Sequence, residues 1–159
     1  MTPDVLRVLN RGTHDNLKKL IAHCSSLTDD ELNRQLEGFG YPTVRLQLHH
    51  LLGAAKYWIG VIEGTIDAED DSHLYPTTVE LEQYRQRVFE LTDQFLKEAT
   101  SDELDTPRIM ETWGGRKRQL SPCKIVLRIQ THSYHHQGQI LAMCRLMGKP
   151  GGGVDFPIE

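Results

Sequence analysis

Apolar side chains recur at intervals of three and four residues along four long segments of this chain. The segments run from about residue 2 to 24, 43 to 63, 77 to 100 and 121 to 147. This spacing places the apolar side chains on one face of an α-helix. Loop signals such as Gly38, Gly64 and Pro76 separate the segments. The pattern therefore predicts an all-α protein built as a four-helix bundle.

Residues 105–120 interrupt the helical pattern. Two short runs there flank the dipeptide Gly114-Gly115, and a Gly-Gly step between two such runs is typical of a hairpin. We therefore predict a small β-hairpin directly before the last helix. Ser121 and Pro122 are suited to begin that helix, as the N-cap and the first helical residue. The sequence contains no internal repeat, and we expect residues 1–159 to form a single domain.

Composition narrows the classes of partner. The net charge of -4 and a pI near 6.0 give no global electrostatic reason to bind nucleic acid or an anionic membrane. The one basic cluster, Arg116-Lys117-Arg118, is interpreted as a solvated turn. No apolar run approaches the ~18–20 residues of a membrane span, and no charged-then-apolar leader is seen, so we expect a cytoplasmic protein. The three cysteines form no C-x-x-C pair, which argues against a thiolate zinc site.

Two histidines occupy the apolar stripe of the last helix. The inward stripe consists of Ile125, Ile129, His132, His136, Ile140, Met143 and Met147. One helical turn separates His132 from His136, so their Cβ atoms lie about 5–6 Å apart and their rings can share one metal ion. Because burying two imidazoles without partners is unfavourable, the pattern predicts a divalent metal site. Zinc, nickel and iron all accept imidazole, so the sequence leaves the metal open.

A third donor is expected from the second long helix, which carries His49-His50. The helical phase of His50 is shared by an inward row: Leu46, Ala54, Tyr57 and Val61. The phase of His49 is shared by a flank that we expect to be wetter, with more contact with solvent: Arg45, Leu52 and Lys56. We therefore predict His50 as the third ligand. Helical phase also favours His136 over His135 as a ligand, and His135 stays an alternative. Gln139 is predicted to contact a metal-bound ligand or to orient a histidine.

Several short motifs occur together in this chain. They are Leu27-Thr28-Asp29-Asp30-Glu31-Leu32 after the first helix, His50 with Trp58 eight residues on, and His132-x-x-x-His136-x-Gly138-Gln139. Over nearly its whole length, the chain resembles the DinB-like family of four-helix metalloproteins. The resemblance implies that His50, His132 and His136 bind a metal with one position open to water or substrate. It also implies a homodimer.

The resemblance implies candidate reactions as well. Similar proteins include transferases and isomerases that use low-molecular-weight thiols such as bacillithiol or mycothiol, so we expect a metal-dependent thiol S-transferase acting on a small molecule. A metal-dependent hydrolase ranks second, because family members often carry acidic residues where this chain has Gly53, Ala54 and Ala55. The third hypothesis is a non-catalytic protein that binds a metal or small ligand. A metal closed by four protein ligands, with His135 or Gln139 as the fourth, would favour it.

Overall fold

The computed structural model describes residues 1–67 and 71–158. Its helices are α1 (Pro3–Cys24), α2 (Asp29–Leu32), α3 (Val44–Glu63), α4 (Thr78–Glu98), α5 (Ser101–Asp105) and α6 (Pro122–Leu146). Strands β1 (Arg108–Thr112) and β2 (Arg116–Leu120) pair antiparallel around a short 3-10 turn, and a second such turn lies at Ser72–Leu74. The prediction of an all-α four-helix bundle with a small hairpin before the last helix is confirmed.

The four long helices surround a shared apolar core. Helices α1 and α3 occupy opposite corners of the bundle, and each packs against both α4 and α6. The core takes side chains from all four, among them Leu17, Leu48, Leu81 and Ile140, none of them more than 1% exposed. Burying each such side chain contributes roughly 1.5–3 kcal/mol. None of the helices in the described ranges is long and apolar enough to cross a membrane.

Local signals set the ends of the two helices that carry the predicted site. Thr43 caps α3 with its side chain, and Gly64 ends the helix in the left-handed conformation with a φ of 73°. Glycine has no Cβ to oppose a positive φ, which explains this stop. Helix α6 begins at Pro122 after the N-cap Ser121, as predicted. These ends fix where the histidines fall along each helix.

The segment between α4 and the hairpin differs from the prediction. We expected the third long helix to end at about Thr100, and α4 ends close to that residue, at Glu98. The short helix α5 that follows was not predicted. Thr100 and Glu103 form a capping box, in which each side chain bonds the backbone N–H of the other. Thr28 and Glu31 form the same motif at the start of α2. The signal for α5 was therefore present in the sequence.

Candidate metal centre

Histidines from α3 and α6 meet where these two helices pack. His50, His132 and His136 each offer one ring nitrogen, and the three atoms lie within 4.8 Å of one another. The ring centroid of His50 is 5.2 Å from that of His132 and 4.8 Å from that of His136. The structure therefore brings together the three residues that the sequence singled out.

The spacing of the nitrogens suits a common ion. The Nε2 atoms of His132 and His136 lie 3.2 Å apart. Two nitrogens bound to one tetrahedral ion at about 2.0–2.1 Å each would lie about 3.3 Å apart, so the pair needs almost no rearrangement. Among the described residues, the group contains these three histidines and no carboxylate or thiol. Such an all-imidazole donor set fits zinc, nickel or iron.

Burial keeps the three imidazoles neutral. His136 is 6% exposed, and His50 and His132 are partly buried. Burial, followed by the charges of neighbouring histidines, lowers the pKa of His50 and of His136 to about 4. Burial also lowers the pKa of His132, with smaller contributions from Arg128 and His135. A neutral ring has the free lone pair that a metal ion requires, so the rings are in the metal-binding form at neutral pH.

Gln47 supports His136 from within the bundle, and the sequence analysis did not identify it. Its Oε1 lies 2.5 Å from Nδ1 of His136, and its side chain is fully buried. The Gln47 amide is oriented by its other end, since Nε2 donates to the backbone carbonyl of Tyr41 at 3.0 Å. Oε1 can only accept, so Nδ1 of His136 donates and carries the proton. The lone pair of His136 is left on Nε2, the atom beside His132.

Tyr41 covers the third histidine. Its ring stacks on the imidazole of His50, with centroids 3.8 Å apart and planes inclined by 18°. It also meets His136 edge-on at 6.2 Å. Tyr41 lies in the loop before α3, where helical periodicity makes no prediction about contacts. The sequence analysis therefore missed it, and only the folded loop brings it to the site.

The prediction that His49 lies on a wetter flank is wrong. His49 is only 8% exposed, and its ring centroid lies 5.3 Å from that of Tyr75 and 6.0 Å from that of Tyr84. Tyr84 belongs to α4 and Tyr75 to the segment just before it, so this part of the chain covers the flank of α3 that phase alone assigned to solvent. His49 is thus a packed side chain next to the site and lies outside the three-histidine group.

His135 and Gln139 lie on the outer side of α6 beside the histidine group. His135 is exposed, in agreement with its helical phase. Nε2 of Gln139 lies 3.0 Å from Nε2 of His135. Gln139 also raises the pKa of His136 slightly, against the larger lowering by burial. The contact of Gln139 with a metal-bound ligand stays a prediction.

A pocket of about 660 Å³ opens beside His50, within the size range of small-molecule sites. Its walls combine aromatic rings with polar groups, and Lys56 in the wall pairs with Asp67 at 2.8 Å. Trp113 from the hairpin lies at the pocket, where its backbone N–H donates to the hydroxyl of Tyr57 at 2.7 Å. The candidate metal centre therefore adjoins a space that admits a small molecule.

Comparison with known proteins bears on the fold. Among solved structures, the chain is similar to the crystal structure of a DinB-like protein from Bacillus cereus ATCC 10987. The TM-score is 0.65 with 18% sequence identity, over 87% of this chain and 91% of that chain. No curated protein matches the chain. The sequence model of the DinB family matches residues 8–159. Because this match spans nearly all of the sequence, the chain belongs to the DinB family.

Proposed function

We propose that this protein binds a divalent metal ion through His50, His132 and His136 and transfers a low-molecular-weight thiol, of the bacillithiol or mycothiol type, to a small electrophile. The observation that carries the proposal is the convergence of three neutral ring nitrogens from two helices, two of them 3.2 Å apart. A pair of histidines one turn apart is common on helix surfaces. A third imidazole from a facing helix supports a metal site much more strongly.

The side chains at this site have different roles. His132 and His136 from α6 and His50 from α3 would hold the ion. Gln47 keeps the proton of His136 on Nδ1 and so leaves the lone pair on Nε2 free to bind it. Tyr41 stacks on His50 and limits the rotation of its ring. When bound, the divalent ion supplies a Lewis acid that favours the thiolate form of a thiol over the neutral form. The adjoining pocket would hold the electrophile beside that thiolate.

The surroundings of the three histidines support an enzyme over a storage or sensor protein. Structural zinc sites usually have four protein ligands, whereas catalytic sites keep one position open. In the described residues, no fourth histidine, cysteine or carboxylate joins the group. The pocket borders His50 directly and offers a route to the open side.

The experiment that tests this function starts with elemental analysis of the purified protein. Protein loaded in turn with zinc, nickel or iron is then incubated with bacillithiol or mycothiol and a bimane electrophile, and loss of free thiol is followed. We expect metal-dependent transfer, with His136→Ala at the background rate. One bound ion per chain without thiol consumption would reduce the function to metal binding. Ester cleavage by the same loaded protein would favour the hydrolase.

Gln47→Ala should weaken metal affinity about 10–100-fold, the range typical of residues that orient metal-binding histidines. Without Oε1, His136 loses the acceptor that keeps its proton on Nδ1. Affinity is measured by competition with a chelating dye. Gln47→Glu retains an acceptor and should keep most of the affinity. Unchanged affinity in Gln47→Ala would contradict the orienting role.

Gln139→Ala, which removes an amide from α6, should keep the metal and alter activity.

We also propose that the protein is cytoplasmic and that it forms a homodimer, with an isologous contact between helix faces. The dimer is what the family resemblance implies. Sedimentation at micromolar concentration should show a species of twice the 18.2 kDa chain mass. A single species of 18.2 kDa would contradict the dimer and leave the metal site unaffected.

A further inference from the structure

A groove of about 350 Å³, distinct from the pocket beside His50, lies between the hairpin and the first half of α6. Three cationic side chains line it: Arg118 from β2, and Lys124 and Arg128 from α6. Trp58 of α3 forms an aromatic part of the wall, and none of the described lining residues is acidic. The basic segment that the sequence suggested to be a solvated turn therefore contributes to a shaped, positively charged groove.

The cations of this groove have no acidic partner among the described residues. The ion pairs of residues 1–67 and 71–158 involve other side chains. The chain has 22 acidic and 18 basic residues, so the local excess of positive charge runs against the overall balance. In the pocket beside His50, by contrast, Lys56 is paired with Asp67. Three like charges around one small groove repel one another, and a bound anion would relieve that repulsion.

Strand register directs Arg118 into the groove. Arg118 lies opposite Met110 in the β1–β2 pair, and opposite residues of an antiparallel pair project from the same face. Met110 is 4% exposed, which identifies this face as the one packed on the bundle. Lys117, the preceding residue, pairs with Glu111 in the strand register and does not line this groove. Of these two neighbouring cations, only Arg118 contributes its charge to the groove.

Arg128 is held in place by an aromatic ring. Its guanidinium carbon lies 5.5 Å from the ring centroid of Trp58. Stacking restrains the guanidinium plane, and the N–H groups at its edge stay available for a carboxylate or phosphate. Ser121 also lines the groove, and its hydroxyl makes no capping hydrogen bond to the first turn of α6. The groove therefore offers planar and hydroxyl donors as well as charge.

One face of α6 carries two cations of the groove and one histidine of the candidate metal centre. Lys124, Arg128 and His132 recur at every fourth residue, so they share that face. With a rise of about 1.5 Å per residue, Arg128 lies about 6 Å and Lys124 about 12 Å along the helix axis from His132.

We propose that this groove is an anion-binding site that holds a carboxylate or phosphate group of a small organic substrate, about one to two turns of α6 away from His132. Its link to the reaction rests on the proposed function, whereas anion binding itself requires no metal. The volume of the groove suits a small molecule. The substrate is accordingly a molecule whose reacting end reaches the histidines while a negatively charged end, several bonds away, contacts Arg118, Lys124 and Arg128.

The test measures anion binding on the protein as purified and again after metal removal, with folding checked by circular dichroism. Succinate and, separately, inorganic phosphate are titrated while NMR follows the indole N–H of Trp58 and the Nε–H of Arg128. We expect saturable binding of one anion per chain in both preparations. Binding of succinate alone identifies a carboxylate site, and binding of phosphate alone identifies a phosphate site.

Charge-neutralising variants locate the binding. R118Q, K124Q and R128Q should each weaken it at least fivefold, while K117Q, the same charge change at a residue that does not line the groove, should change it less than twofold. R128Q should also keep its metal, so failure of this site and failure of the metal site are distinguishable. Equal weakening by K117Q and R118Q, or shifts that do not saturate, would overturn the proposal. Loss of anion binding in metal-free H136A would do so too, because it would place the anion at the histidines.

Discussion

Replacing His50, His132 or His136 with Ala is expected to lower metal affinity more than 100-fold and to leave the purified protein nearly metal-free. Two nitrogens and water hold a divalent ion much more weakly than three nitrogens do. The loss should exceed the ~10–100-fold that typically follows removal of a residue that only orients a ligand. Metal stoichiometry per chain, measured by elemental analysis alongside circular dichroism, provides the readout.

The matched controls for this prediction are the neighbouring histidines. His135→Ala removes an exposed ring and should retain both metal and stability. His49→Ala removes a ring packed near Tyr75 and Tyr84, so it should lower stability and still retain metal. Full occupancy in a folded His132→Ala variant would overturn the ligand assignment. Loss of metal in His49→Ala with retention in His50→Ala would exchange the two residues of α3.

Removing the metal is expected to lower the melting temperature by about 8–16 °C. An ion that binds only the folded state stabilises it by RT ln(1 + [L]/Kd), about 4 kcal/mol at a thousandfold excess over Kd. For a chain of this size, each kcal/mol corresponds to about 2–4 °C. The effect has a structural reason, because the three histidines come from both α3 and α6 and a bound ion would connect these two packed helices.

Melting curves recorded before and after chelation, and again after metal is restored, test this prediction. The chelator should not affect the melting temperature of His136→Ala, which separates metal loss from other actions of the reagent. An unchanged curve for the unmodified protein, in a sample shown to contain metal before chelation and none afterwards, would contradict a stabilising role for the ion.

Periodicity and end signals were sufficient to predict the bundle. The apolar stripes predicted four long helices, and the Gly-Gly turn predicted the hairpin. These features are local, since a helix or hairpin is specified by residues a few positions apart. The short helix α5 was missed, although the Thr-x-x-Glu motif at its start is a helix-start signal that α2 shares. That miss reflects an overlooked local signal and no tertiary effect.

Helical phase predicted which histidines would converge, because it depends only on positions along one helix. His50, His132 and His136 meet as their phases indicate. Helical phase gave the wrong solvent exposure for His49, because phase describes one helix in isolation. The solvent exposure of a helix face depends on what packs against it. Helix α4 and the segment before it cover that side of α3.

By itself, then, the sequence determined four amphipathic helices, a hairpin and three histidines in phase for one site. Only the tertiary structure decided which groups surround that site. Gln47 reaches His136 across 89 residues of chain, and Tyr41 reaches His50 from a loop. Arg118 likewise comes from the hairpin to line a groove with two cations of α6. Side-chain partners so distant in sequence are set by how the helices pack, and periodicity along one segment carries no information about them.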